Sequence, residues 1–147
     1  MLKRDYVDQN CSVARALEIV GERWTLLIVR DAFQGLTRFD QFQENLGIAR
    51  NVLTDRLARL VDERILERVR YSERPERYEY VLTEKGRKLR VALAALRQWG
   101  DEYCGHEPPT LMRSKADGGA VVAAFVPAGA ENILAWDEVV TVPGPGA

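Results

Sequence analysis

The chain has 147 residues, 46% hydrophobic and 29% charged, with a net charge of −1. That is enough chain for one ordinary domain with its own core, in the composition range of soluble globular proteins. The near-neutral balance excludes nonspecific coating of nucleic acid, and no apolar run approaches the roughly 18 residues of a membrane span. Two cysteines exclude a disulfide scaffold and favour the reducing cytoplasm. The start, MLKRDYVDQN, has a Lys-Arg pair but no apolar stretch, so no signal peptide is read.

Residues 12–21 read as a first helix, with Val13, Leu17 and Val20 on one face. Gly21 ends it, and Glu22-Arg23 lead into a second helix over 24–33. Its run Leu26-Leu27-Ile28-Val29 is apolar nearly all round, which predicts burial. After a turn at Gln34-Gly35-Leu36, Thr37-Arg38-Phe39-Asp40 fits a capping-box spacing with Asp in place of Glu or Gln. The third helix then runs to Leu46, packing through Phe39, Phe42 and Leu46. Gly47 breaks it.

A fourth helix follows over 49–64. Leu53, Leu57, Leu60 and Val61 fall on one side of its wheel; Asn51, Val52, Asp55 and Arg59 fall on the other. A helix packed by one face and offering Arg and Asn on the other has the chemistry to read base edges in a major groove. An alternating hairpin comes next, with strands over 65–71 and 77–82. Arg68 and Arg70 oppose Val69 and Tyr71, and the tip, Ser72-Glu73-Arg74-Pro75-Glu76-Arg77, carries two guanidiniums able to reach phosphate. The charge distribution agrees: residues 1–46 carry a net of −1, 47–100 of +5, and 101–147 of −5. The competing reading is a solvated helix face and a soluble turn.

Thr83 caps a predicted long helix over 83–104. Leu89, Ala92, Leu96, Trp99 and Tyr103 form a heptad seam along it, which predicts a dimer helix. Beyond Pro108-Pro109 the chain turns rich in Gly, Ala, Val and Pro, with residues 120–126 and 138–142 as short strands. Trp24, Trp99 and Tyr103 are expected in core and interface.

Cys11 stands at the N-terminus of the first helix, where the dipole and Arg15 favour a thiolate; the alternative is a small, inert packing residue. Cys104 ends the long helix, and a Cys11–Cys104 bond between chains needs Cα atoms within about 7 Å. Cys104-Gly105-His106 supplies at most two metal ligands, and zinc wants about four. Read as a Cys–His nucleophile pair it lacks a third partner. No constellation for an enzyme and no cofactor site is read.

Several segments in combination resemble the HxlR-type transcriptional regulators, relatives of the MarR group. They are Cys11-Ser12-Val13-Ala14-Arg15-Ala16-Leu17, Gly21-Glu22-Arg23-Trp24-Thr25-Leu26-Leu27-Ile28, Thr37-Arg38-Phe39-Asp40-Gln41-Phe42, Leu53-Thr54-Asp55-Arg56-Leu57 and Tyr78-Glu79-Tyr80-Val81-Leu82-Thr83-Glu84-Lys85-Gly86. The resemblance implies a mostly α fold with a small β-hairpin wing (α+β), a winged helix-turn-helix dimeric through its N- and C-terminal helices. It divides the chain into a DNA-binding and dimerisation domain, 1–107, and an extension, 108–147.

The implied function is a cytoplasmic homodimer that binds near-palindromic double-stranded DNA. The alternative is a thiol-based or small-molecule sensor of the same fold with little DNA binding. The implied recognition-helix contacts are Ala49, Arg50, Asn51, Val52, Asp55, Arg56 and Arg59; Thr37, Arg38, Arg74 and Arg77 would meet the backbone. Arg56, sideways on the wheel, has a neighbouring carboxylate as its other expected partner. Val13, Leu17, Leu89, Leu96, Trp99 and Tyr103 would form the dimer interface, and Cys11 and Cys104 are the redox candidates. The implied effector is a small electrophile, an oxidant or an aromatic molecule, the last held near Trp24 and Tyr6. The ending resembles an actinobacterial branch in which some relatives carry tail Cys pairs; Phe125 and Ala128 stand there instead, which leaves no zinc ribbon.

Overall fold

A computed structural model describes residues 5–105 and 107–147. It divides into two compact units, Met1–Arg90 and Val91–Ala147. The first unit holds α1 (Ser12–Val20), α2 (Thr25–Phe33), α3 (Phe39–Leu46), α4 (Arg50–Asp62), β1 (Leu66–Glu73), β2 (Glu76–Leu82) and a single turn, α5 (Glu84–Arg87). The architecture is the expected α+β winged helix-turn-helix, with the two strands in one antiparallel hairpin.

The core of this unit is Ile28, Val29, Phe42, Leu53, Leu57, Leu60, Ile65 and Leu66, each at most 2% exposed. Leu53, Leu57 and Leu60 recur at helical spacing, so α4 buries one stripe and leaves the other side outward. Val61, at the edge of the stripe, is half-buried. In α2 the all-round burial expected of the run 26–29 does not hold. Ile28 and Val29 are buried, whereas Leu27 is 40% exposed, because a short helix on a small core can bury only one side.

Trp24, expected inside α2, lies just before it in the left-handed region at φ 81°. Its N-cap position leaves Thr25 as the first helical residue. Gly47 ends α3 at φ 62°, and its N–H donates to the Gln43 carbonyl in the manner of a left-handed helix cap. Between α2 and α3 a fully buried carboxylate closes the turn. Asp31 Oδ1 accepts from Arg30 Nε at 2.9 Å and Nη2 at 2.7 Å, and Oδ2 accepts from Asn45 Nδ2 at 2.8 Å. The Leu36 N–H donates to the Asp31 carbonyl at 3.1 Å.

Only half of a capping box forms, one residue later than predicted. Arg38 occupies the N-cap position, and Gln41, not Asp40, reaches back: its Oε1 accepts from the N–H groups of Arg38 at 3.0 Å and Thr37 at 3.1 Å. The hairpin is longer than predicted and its tip shorter. Pairing runs from Leu66↔Leu82 to Glu73↔Glu76, leaving Arg74-Pro75 at the turn, with an irregularity between Arg70 and Ser72.

The predicted helix over 83–104 is broken. α5 ends at Arg87, the Leu89 N–H donates to the Gly86 carbonyl, and α6 (Arg90–Tyr103) starts afresh. The hairpin root fixes α5 and so sets the break. A Cβ on Gly86 would sit 2.2 Å from the Ile65 carbonyl oxygen, so only glycine fits there. Thr83 Oγ1 caps the turn, accepting from the Gly86 N–H at 3.0 Å.

In the second unit α6 buries no residue. The strands expected over 120–126 and 138–142 do not form. Single bridges join Arg113 to Ala120 and Phe125 to Leu134, and Trp136–Glu138 is a 3-10 turn. Neither segment has a neighbouring strand long enough to build a ladder. The extension is fastened to α6 by Gln98, which accepts from the Ala123 N–H at 2.9 Å and donates to the Ala123 carbonyl at 3.4 Å. No helix among the described residues is long and apolar enough to cross a membrane.

Candidate nucleic-acid interface

The N-termini of α3 and α4 and the face of the hairpin enclose an open concavity. Arg38, Arg50, Arg68 and Arg77 line it with Phe39, Tyr71 and Tyr78; Asp40 and Glu76 are its acids. Three of the guanidiniums lie over rings: Arg38 over Tyr71 at 4.7 Å, Arg50 over Phe39 at 4.8 Å and Arg68 over Tyr78 at 3.6 Å. Stacking holds the guanidinium planes while leaving their N–H edges available to an anion. Tyr78 donates to the Glu76 carboxylate, a bond that raises the phenol pKa above its ordinary value. The hairpin is joined to α3 by the Tyr80 N–H, which donates to the Thr37 carbonyl at 2.7 Å.

Ala49 is the N-cap of α4, with no side-chain cap, so the first N–H groups of the helix are left for an external acceptor. Arg50, Asn51 and Asp55 are exposed, and Val52 is half-buried. Arg74 and Arg77 are exposed on the hairpin. Arg56 and Arg59 differ. Arg56 Nη1 is 2.6 Å from Glu22 Oε2, the carboxylate partner open to it from the sequence, and its Nε donates to the Arg23 carbonyl at 3.1 Å. Arg59 Nη2 lies 3.2 Å from Glu63 Oε1 and 3.4 Å from the Glu18 carbonyl.

The predicted recognition-helix residues thus fall into two groups on the same helix. Sequence reasoning named Arg68 only as a strand residue and missed its place in the concavity. The available signal was Tyr78, its cross-strand neighbour near the Arg70↔Tyr78 pair.

Cys11 is exposed at the N-cap of α1. The N–H groups of Ala14 and Val13 lower its thiol pKa, Arg15 adds to the effect, and desolvation opposes it. Cys104 is also exposed. His106, and with it the Cys104-Gly105-His106 reading, lies outside the described residues. Val13 and Leu17 on α1, and Leu96, Trp99 and Tyr103 on α6, are exposed; Leu89 is half-buried in the break before α6. Trp99 and Tyr103, expected in core and interface, are not in the core of this chain. Their rings lie 5.7 Å apart on the surface of α6. Trp24 is half-buried beneath the Arg23 guanidinium, and Tyr6 is exposed.

The HxlR-like helix-turn-helix family profile matches residues 19–108. The chain is 47% identical over 137 residues to the HTH-type transcriptional regulator Rv3095 of Mycobacterium tuberculosis, covering 92% of this chain and 87% of that one. It is similar to the crystal structure of PA1607, a candidate transcription factor. That match has a TM-score of 0.77 and 40% identity, covering 92% of this chain and 96% of the other. The oxidised redox regulator HypR matches at a TM-score of 0.58 and 30% identity, over 63% of this chain and 96% of its own. Profile, relatives and fold agree: the chain belongs to the HxlR-like helix-turn-helix family of transcriptional regulators, which are not enzymes.

Proposed function

We propose that the chain is a cytoplasmic DNA-binding regulator that acts as a homodimer on a near-palindromic operator. The observation that carries this is the concavity. Four arginines, three of them stacked on rings, stand beside the uncapped start of α4. Arg38, Arg50, Arg68 and Arg77 would grip phosphates, with Arg74 reaching further along the backbone and Thr37 placing Arg38. The start of α4, with Ala49 at its N-cap, exposed Arg50, Asn51 and Asp55 and half-buried Val52, would enter the major groove. The exposed apolar residues of α1 and α6 are the surface a second copy would cover, and half-sites would then lie about one helical turn apart.

The test is a titration of the intergenic duplex beside the gene, and of a random duplex of equal length, at several salt concentrations. Steep salt dependence on both, with tighter binding to the first, is expected. Salt-independent or absent binding would end the reading.

A second reading concerns the switch. The exposed, acidified thiol of Cys11 is the observation that favours thiol sensing, and HypR is a redox regulator. Diamide treatment of wild type, Cys11→Ser and Cys104→Ser should alter DNA affinity only where Cys11 is present. Unaltered affinity in fully modified protein would leave Cys11 as a surface residue without a switching role.

A further inference from the structure

The second half of α4 makes contacts of a different kind from the first. Arg56 bridges two groups of the turn after α1, the Glu22 carboxylate at 2.6 Å and the Arg23 carbonyl at 3.1 Å, and its side chain is only 23% exposed. One helical turn later Arg59 meets the Glu18 carbonyl, in the last turn of α1. That turn contains no basic residue of its own, so the cation that complements its dipole and unpaired carbonyls comes from α4. Glu18 also accepts from the Tyr6 N–H, so the segment before α1 joins the same cluster.

We propose that Arg56, supported by Arg59, is a positioning residue rather than a DNA contact. The two guanidiniums tether the recognition helix to the end of α1, setting the angle at which Arg50, Asn51 and Asp55 are presented. The inference rests on the reading that this helix meets DNA. Arg suits the task because one planar fork bonds a carboxylate and a carbonyl together, which a lysine ammonium on a flexible stem does poorly.

The sign of the Glu22 effect separates tether from contact. If Arg56 met phosphate, removing the Glu22 carboxylate would free a cation and tighten binding. If Arg56 is a tether, removing Glu22 loosens it. Glu22→Gln should therefore weaken binding to the intergenic duplex about threefold, although it removes a negative charge, and Arg56→Ala should weaken it about tenfold. The double variant should bind no worse than Arg56→Ala alone, since both changes cut one connection. Binding to the random duplex, and the salt slope, should stay at wild-type values, whereas a lost phosphate contact would flatten the slope by about 0.9. Arg56→Lys, which would preserve a point-charge contact to phosphate, should not restore specific binding.

Amide hydrogen exchange on the free protein gives a reading independent of DNA. Exchange should quicken at the end of α1 and along α4 in Arg56→Ala and Glu22→Gln, and not in Arg77→Ala. Tighter binding in Glu22→Gln, a flattened salt slope in Arg56→Ala, or unchanged exchange would each overturn the proposal. If the wild type binds neither duplex, the DNA reading fails, and the exchange result still decides the tether.

Discussion

The two units solve the problem of apolar surface in opposite ways. The first builds a closed core: among the described residues every buried hydrophobic one lies between Ala14 and Leu66, while Val13 and Leu17 of α1 stay outside it. The second leaves its apolar residues outside, with Trp99 61%, Val122 65% and Trp136 82% exposed. A closed core fixes geometry, which the concavity needs if four guanidiniums are to stand ready. Open apolar surface fixes nothing by itself and is the material of association.

That contrast can be broken by substitution. The largest effect is expected at Leu57, which is 1% exposed: Leu57→Ala should lower unfolding free energy by about 2–5 kcal/mol, read from denaturant midpoints. A cost under about 0.5 kcal/mol would mean that the first unit has no rigid core. Next comes Asp31→Ala, which removes the acceptor for Arg30 and Asn45 and should cost about 2 kcal/mol. Arg77→Ala should leave stability unchanged and flatten the salt slope of DNA binding by about 0.9, which titrations on a random duplex measure.

Cys11 sharpens the comparison from the solvent side. Its lowered thiol pKa leaves more thiolate at neutral pH than an ordinary cysteine carries. The pH profile of its alkylation should therefore have a midpoint below that of a small free thiol. A midpoint at or above it would remove the basis for selective reactivity. The smallest effect is expected at Trp136, where Trp136→Ala should stay within about 0.5 kcal/mol in the denaturant assay. A larger loss would show that the extension is covered in solution.

Periodic features were legible from the sequence alone. The stripe Leu53, Leu57, Leu60 announced the buried side of α4, and alternation announced the hairpin. What the sequence hid depends on reach and on partners distant along the chain. A wheel puts Arg59 on the outer side of α4, but the length of an arginine lets it bend back to α1. Asp31 beside Arg30 looks like a surface pair, yet Asn45, 14 positions away, makes it a buried lock. The signal was a carboxylate inside an apolar run. Thr37 fitted a cap by spacing, whereas Gln41 captured both N–H groups because its longer side chain reaches them. The strands expected in the extension had the right residues and no ladder to join.

Gln98 offers Ala123 an amide in place of a strand, donating and accepting as a peptide group would. What it grips is main chain, so the identity of the side chain at that position is immaterial to the grip. The side chain at 123 is thereby free to drift, or to be redesigned, without loss of this grip, whereas the glutamine is not. A new side chain could be set at position 123 with this amide pair left intact.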